Sequence, residues 1–149
     1  MKIRVEKLRM LLMAGSVIGL IDALYLTWMK ITNNPHMCIQ GLGDCFTVNT
    51  SKYSEIDGIP VALIGAVAYI FLFLLLIVEN RSDFLKSNSD LFIFGITLSG
   101  TLFSAYLTYI ELLVLRMICP FCMVSAITIL ILLVISIIRL IKYQPENIT

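Results

Sequence analysis

The chain has 149 residues, four cysteines and a formal net charge of +1; 59% of its residues are hydrophobic and 14% charged, with a mean hydropathy of +0.95. That length suggests one domain, and the near-neutral charge gives no case for nucleic acid. A soluble bundle would need polar stripes at helical spacing, which are missing, so the composition points to an all-α integral membrane protein.

Residues 1–9 carry Lys2, Arg4, Lys7 and Arg9 ahead of an apolar run that reaches Met29. The run is longer than a signal-peptide core and no small-residue cleavage site follows it, so it reads as a retained membrane helix. Four spans are expected, at about residues 8–29, 60–78, 91–115 and 121–141. At 1.5 Å per residue each reaches about 28 Å or more, close to the ~30 Å hydrocarbon core. With the N-terminus inside, eight Lys and Arg fall on inner segments (Lys2, Arg4, Lys7, Arg9, Arg81, Lys86, Arg139, Lys142) and three on outer ones (Lys30, Lys52, Arg116). The positive-inside rule then puts both termini in the cytoplasm of a four-helix bundle.

The long first outer loop, residues 30–59, holds Cys38 and Cys45 with Gly41 and Gly43 between them, glycines that allow a tight turn. Phe46 to Tyr53 suits a short amphipathic piece on the membrane surface. Asp57-Gly58 reads as a turn, and Pro60 suits the first turn of the second span. Residues 79–90 read as a short polar connector on the inner side. The last span opens with Cys119-Pro120-Phe121-Cys122. Two thiols at this spacing can close a disulfide in the first turn of a helix, where peptide dipoles favour a thiolate. The same spacing suits zinc, so metal ligation stays open on spacing alone. The topology puts all four thiols on one non-cytoplasmic side, where disulfides form and persist.

Cys38 and Cys45, Thr50-Ser51, Gly58-Ile59-Pro60 and Cys119-Pro120-Phe121-Cys122-Met123-Val124-Ser125-Ala126 together resemble the vitamin K epoxide reductase family, over about residues 19–135. The resemblance implies a four-helix bundle around a quinone of the ubiquinone, menaquinone or vitamin K type, without a metal. Prokaryotic members look like oxidases of thioredoxin-like proteins. Here no fused domain of that kind is expected, and the partner is expected to be a separate thioredoxin-like protein on the non-cytoplasmic side. The implied route runs from the partner to a Cys38–Cys45 disulfide, from Cys45 to Cys119, and from Cys122 to the quinone by thiol–disulfide exchange. Cys119 is expected to be the more exposed of its pair, and Cys122 the one whose thiolate the helix dipole favours. Quinone epoxide reduction and a non-enzymatic scaffold stapled by two static disulfides are the alternatives.

Around these cysteines, Ser51 matches a family serine that would hydrogen-bond the quinone, with a helix cap as the plainer reading. Phe121, Tyr106 and Tyr109 are candidates to pack or stack on it, although Tyr106, Tyr109 and Trp28 also suit an interface belt. Asp22, an acid within the first span, is a candidate for proton handling or a buried hydrogen-bonded acid. Glu111 and Arg116 mark the interface before Cys119, and Arg116 and His36 are candidates to favour a nearby thiolate.

Overall fold

Apolar length and the need to satisfy every backbone amide within the bilayer dictate helices, and the computed structural model has four of them long and apolar enough to cross a membrane. It describes residues 2–38, 41 and 43–143. Helix α1 covers Lys2–Thr32, α3 Val61–Val78, α4 Asp83–Tyr109 with a π-helical continuation Ile110–Leu115, and α5 Pro120–Tyr143; a short α2, Cys45–Thr50, lies in the first loop. The protein is an all-α four-helix membrane bundle. The expected spans are all found, each within a longer or nearly matching helix, but residues 79–90 are not a simple connector, because α4 already begins at Asp83.

Helix α1 packs chiefly on α3 and α5, and α4 on α5, whereas α3 and α4 touch less. Leu12, Leu72, Leu76, Ile93 and Leu132 fill the centre. Hydroxyls in these helices donate back to carbonyls one turn earlier, as Ser16 does to Leu12 and Thr27 to Ala23, both at 2.8 Å, which satisfies them without water. Thr97 and Ser136 also meet at 3.1 Å between α4 and α5.

At the end of the bundle far from the cysteines, Arg139 of α5 lies 3.3 Å from Glu79 and 2.8 Å from Asp90 of α4. Arg9 of α1 approaches Glu79 at 3.7 Å and donates to the Leu76 carbonyl at 2.7 Å. Glu79 and Arg139 are buried, so residues that read as part of a polar connector and of the inner-side basic set form an interhelix network instead.

The first loop is also more built than a surface-lying helix. Asp44 caps α2, its carboxylate accepting from the Thr47 amide at 3.0 Å and the Thr47 hydroxyl at 2.7 Å. Cys45, Val48 and Asn49 face inward and are buried, so the apolar side of α2 meets protein rather than lipid. The turn at Asp57 and Gly58 is as expected: both have positive φ, 51° and 81°, and join the two short strands β1, Glu55–Ile56, and β2, Ile59–Pro60. Pro60 ends that hairpin one residue ahead of α3. Ile39, Gln40 and Leu42 in the expected inter-cysteine turn, and residues 144–149, lie outside the described residues.

Candidate functional site

Helix α1 supplies the floor on which the first loop sits. Tyr25 donates its phenolic hydrogen to the Met37 carbonyl, one residue before Cys38. Asn49 donates to the Leu26 carbonyl at 2.9 Å, and the Lys30 ammonium donates to the Asn49 carbonyl at 3.0 Å while pairing with Glu55 at 3.0 Å. These bonds pin the C-terminal end of α2 and the segment just before Cys38 to α1. They carry Cys45 into an apolar cluster with Leu26, Met29, Val48 and Cys119, against which Cys38, Phe121 and Cys122 pack. All four cysteines therefore meet in one cluster.

Cys38 and Cys45 are joined by a disulfide, with their Cα atoms 6.0 Å apart, whereas Cys119 and Cys122 are free thiols. One closed pair beside one open pair is not the doubly stapled arrangement of a static scaffold. Among the described residues, no group of three or more His, Cys, Asp or Glu side chains is arranged to hold a metal.

The loop reaches the second pair through Gly43. Its φ is +132°, and a Cβ there would collide with the Ile118 carbonyl oxygen and touch the Pro120 ring. A glycine is thus required both by conformation and by the close approach of the two cysteine segments.

On the other side, α4 ends in the π-helical turn and Arg116 follows in the left-handed conformation, φ 52°, while the Met117 amide bonds back to the Glu111 carbonyl at 3.0 Å. This reversal folds the irregular segment before Pro120 inward. Cys119 is consequently buried and Cys122 half-buried, the reverse of the expected order. Arg116 serves as the helix terminator, and His36 is exposed in a short 3-10 turn.

Cys119 stands just ahead of α5, so its sulfur accepts the Cys122 amide hydrogen at 3.4 Å in the manner of a helix cap. The Cys122 thiol, as a hydrogen-bond partner, holds the Cys119 thiol below its ordinary range against the opposing effect of burial, and the Cys122 and Phe121 amides add to this. The helix start therefore favours the thiolate at Cys119 rather than, as expected, at Cys122.

A cavity of about 810 Å³ runs from this cluster between α3 and α4. Cys122, Ser125 and Ile129 of α5 form its back, and Asn49, Ser51 and Tyr53 of the loop form its cysteine-side end. Ile64 of α3 and Leu91 and Phe92 of α4, which also line it, are exposed on the outside of the bundle where lipid would lie. Ser51 lines this cavity while donating to the Val48 carbonyl at 2.8 Å. Phe121 is not on the wall: one residue round the helix from Cys122, it packs on Tyr25 with ring centres 4.9 Å apart. Tyr106 and Tyr109 likewise point away, more than half exposed, because the wall positions on α4 are Phe103, Ser104, Leu107 and Thr108. Trp28 is exposed on α1.

Asp22 is buried, with Oδ2 lacking a hydrogen-bond partner among the described residues. One turn away, the Tyr69 ring lies against Gly19 so closely that a Cβ there would overlap it, and the Tyr69 hydroxyl meets Ser125 at 3.4 Å. Tyr69 and Ser125, both on the cavity wall, were not singled out from the sequence; the available signal was a phenol inside an apolar helix, which needs a partner when buried. Glu111 is a second correction. Rather than marking the interface, it is buried and faces the cavity, beside the Cys122 thiol and the Cys119 amide.

The profile of the vitamin K epoxide reductase family matches residues 10–137. A relative in Arabidopsis thaliana, the thiol-disulfide oxidoreductase LTO1, is 36% identical over 95 residues, which make up 61% of this chain and 25% of that protein. The matched stretch is thus about a quarter of that relative's length.

Proposed function

The chain belongs to the vitamin K epoxide reductase family, and from that premise we propose that it is a membrane thiol oxidoreductase that generates disulfides, taking electrons from a thioredoxin-like protein on the extracytoplasmic face and delivering them to a quinone. The observation that carries this reading is the convergence of a closed pair, Cys38–Cys45, and an open pair, Cys119 and Cys122, in one apolar cluster at the end of the cavity. The relative named a thiol-disulfide oxidoreductase supports it.

The exchange steps balance within the chain and its partner. A partner thiolate attacks the Cys38–Cys45 bond; the partner's second thiol closes its own disulfide and leaves two loop thiols. The Cys45 thiolate, packed with Cys119, then attacks a Cys119–Cys122 disulfide. Cys122 departs as a thiolate, Cys38 resolves the mixed disulfide, and the loop pair is closed again with Cys119 and Cys122 reduced. This is the redox state described above. Each step exchanges one S–S bond for another, so the cost lies in bringing sulfurs in line, which the Tyr25, Lys30 and Asn49 bonds and the Gly43 contact favour.

The cavity suits a quinone headgroup and the start of its tail. Its volume lies within the ~300–1,000 Å³ of ordinary ligand sites, its walls are mainly apolar, and Ser51, Asn49 and Ser125 supply polar groups. A quinone held there supplies a two-electron, two-proton acceptor for re-closing the Cys119–Cys122 pair. Cys122 is the sulfur on the wall and Cys119 the sulfur behind it, which supports the order loop, Cys119, Cys122, cavity. Asp22, buried behind that wall one turn from the Gly19 that Tyr69 packs on, is the candidate proton-handling residue, with Tyr69 and Ser125 on the wall itself.

The test is thiol trapping of the reconstituted protein with a reduced thioredoxin-like protein, with and without added quinone, in wild type and Cys122→Ala. Partner oxidation that requires quinone and disappears in the variant is expected. Absence of oxidation across several partners and quinone classes sinks the oxidase reading.

A further inference from the structure

Glu111 is the one carboxylate among the described residues on the cavity wall. A buried acid at a membrane-spanning helix end is costly to keep unless it is used or paired. The π-helical turn Ile110–Leu115 widens the helix at this point, and such turns re-aim side chains, often at functional sites. Its effect here is to bring Glu111 round to the same cavity end as Cys122. The carboxyl group sits beside the Cys122 thiol and the backbone amide of Cys119. The other titratable side chains on this wall are Tyr53, Tyr69 and Cys122 itself, and phenols ordinarily keep their protons at neutral pH. Glu111 is thus the group on the wall with a free site for a proton next to the sulfur that has one to give.

We propose that Glu111 is a catalytic base of this site, taking the Sγ proton of Cys122 so that the thiolate forms at the cavity. The proposal rests on the redox reading above. The step moves one proton: the Cys122 S–H bond breaks, an O–H bond forms on Glu111, and the negative charge passes from carboxylate to sulfur with no change in oxidation state. Division of labour between the two thiols follows. Cys119 is held as the thiolate-prone sulfur by the neighbouring Cys122 thiol, with the amides at the start of α5 adding to it, whereas Cys122, lacking that position, is served by a carboxylate from the neighbouring helix.

The experiment follows alkylation of the full chain in lipid nanodiscs, with the Cys38–Cys45 disulfide intact and Cys119 and Cys122 reduced. Iodoacetamide is the probe, and residue-resolved mass spectrometry separates Cys122 from Cys119. In wild type the Cys122 rate is expected to hold a pH-independent plateau near pH 7. Glu111→Gln should lower that rate on the order of 10²-fold, the lower range of general-base effects, and abolish the plateau. Glu111→Asp, whose carboxylate sits on a shorter arm, should keep a plateau of reduced height, and it decides the question if the Gln variant fails to fold. Alkylation of either variant as fast as wild type, or faster, overturns the proposal, because a carboxylate acting only as a fixed charge repels the thiolate and its removal speeds the reaction. The assay contains neither quinone nor partner protein. A chain that fails to reduce quinone yet shows the Glu111 effect loses the redox reading alone; one that turns over without the effect loses this proposal alone.

Discussion

Gly43→Ala should uncouple the two cysteine pairs while leaving the bundle intact. The wild-type residue sits at φ +132°, with the Ile118 carbonyl where a Cβ would go. A non-glycine residue held in such a region costs about 1–3 kcal/mol, and relief of the collision requires the loop to lift off the segment before Pro120. Taking about 2 kcal/mol against docking, the ratio of docked to lifted loop falls roughly 30-fold. Gly41→Ala is the matched control, because Gly41 also has positive φ, +95°, but nothing lies within 4 Å of its would-be Cβ. The assay starts from fully oxidised protein, delivers a dithiol to the Cys38–Cys45 disulfide, quenches in acid and counts Cys119 and Cys122 thiols by mass tagging over time. Internal transfer should slow by about an order of magnitude or more in Gly43→Ala and much less in Gly41→Ala, with unchanged thermal unfolding of the helices in both. Equal slowing in the two variants, or wild-type transfer in Gly43→Ala, would refute the view that this contact aligns the pairs.

Other expectations follow from the same coordinates. Glu79→Gln leaves Arg139 and Arg9 short of their shared carboxylate, and loss of one partner in a buried pair costs about 3–5 kcal/mol, to be read as a lower unfolding midpoint in mild detergent. Because the folded protein holds the Cys119 thiol below its ordinary value of 9.0, the folded state binds fewer protons than the unfolded one in the window just under that value. The stabilisation is therefore complete above it and is lost as pH falls through the lowered value. Reduced protein should gain stability with rising pH there, and Cys122→Ser, lacking the thiol partner, should flatten that slope in chemical denaturation. Asp22→Asn should leave internal disulfide transfer unchanged and slow quinone-dependent turnover several-fold with a larger solvent isotope effect; turnover and isotope effect equal to wild type would remove Asp22 from the proton path.

Much of this architecture was legible before any coordinates. Span length and apolarity fix the helices almost regardless of partners, and counting spans puts Cys38, Cys45, Cys119 and Cys122 at one end. The rotation of each helix about its axis was not legible. Tyr106 and Tyr109 look like ring platforms in sequence, yet the helical phase of α4 gives the wall to Phe103, Ser104, Leu107 and Thr108. The π-helical turn then shifts that phase again before Glu111, and no local pattern announces such a turn. The burial of Cys119 depends on the left-handed Arg116, a conformation that an arginine does not advertise. The Glu79–Arg139 pair joins residues 60 positions apart, beyond the reach of any periodicity.

That network has one charged side chain from each part of the bundle: Arg9 from α1, Glu79 from the end of α3, Asp90 from α4 and Arg139 from α5. Two positive and two negative charges cancel in the complete set, and removing any single member leaves one charge unbalanced. A chain still emerging into the bilayer is balanced at this depth once Arg9 and Glu79 are both in place, gains an unmatched negative charge with Asp90 of α4, and is balanced again only when α5 brings Arg139; a bundle missing one member, or with one inserted in the wrong direction, keeps an imbalance. The cluster thus acts as a completeness check on membrane assembly, and it does so at the end of the molecule where no sulfur chemistry would be disturbed.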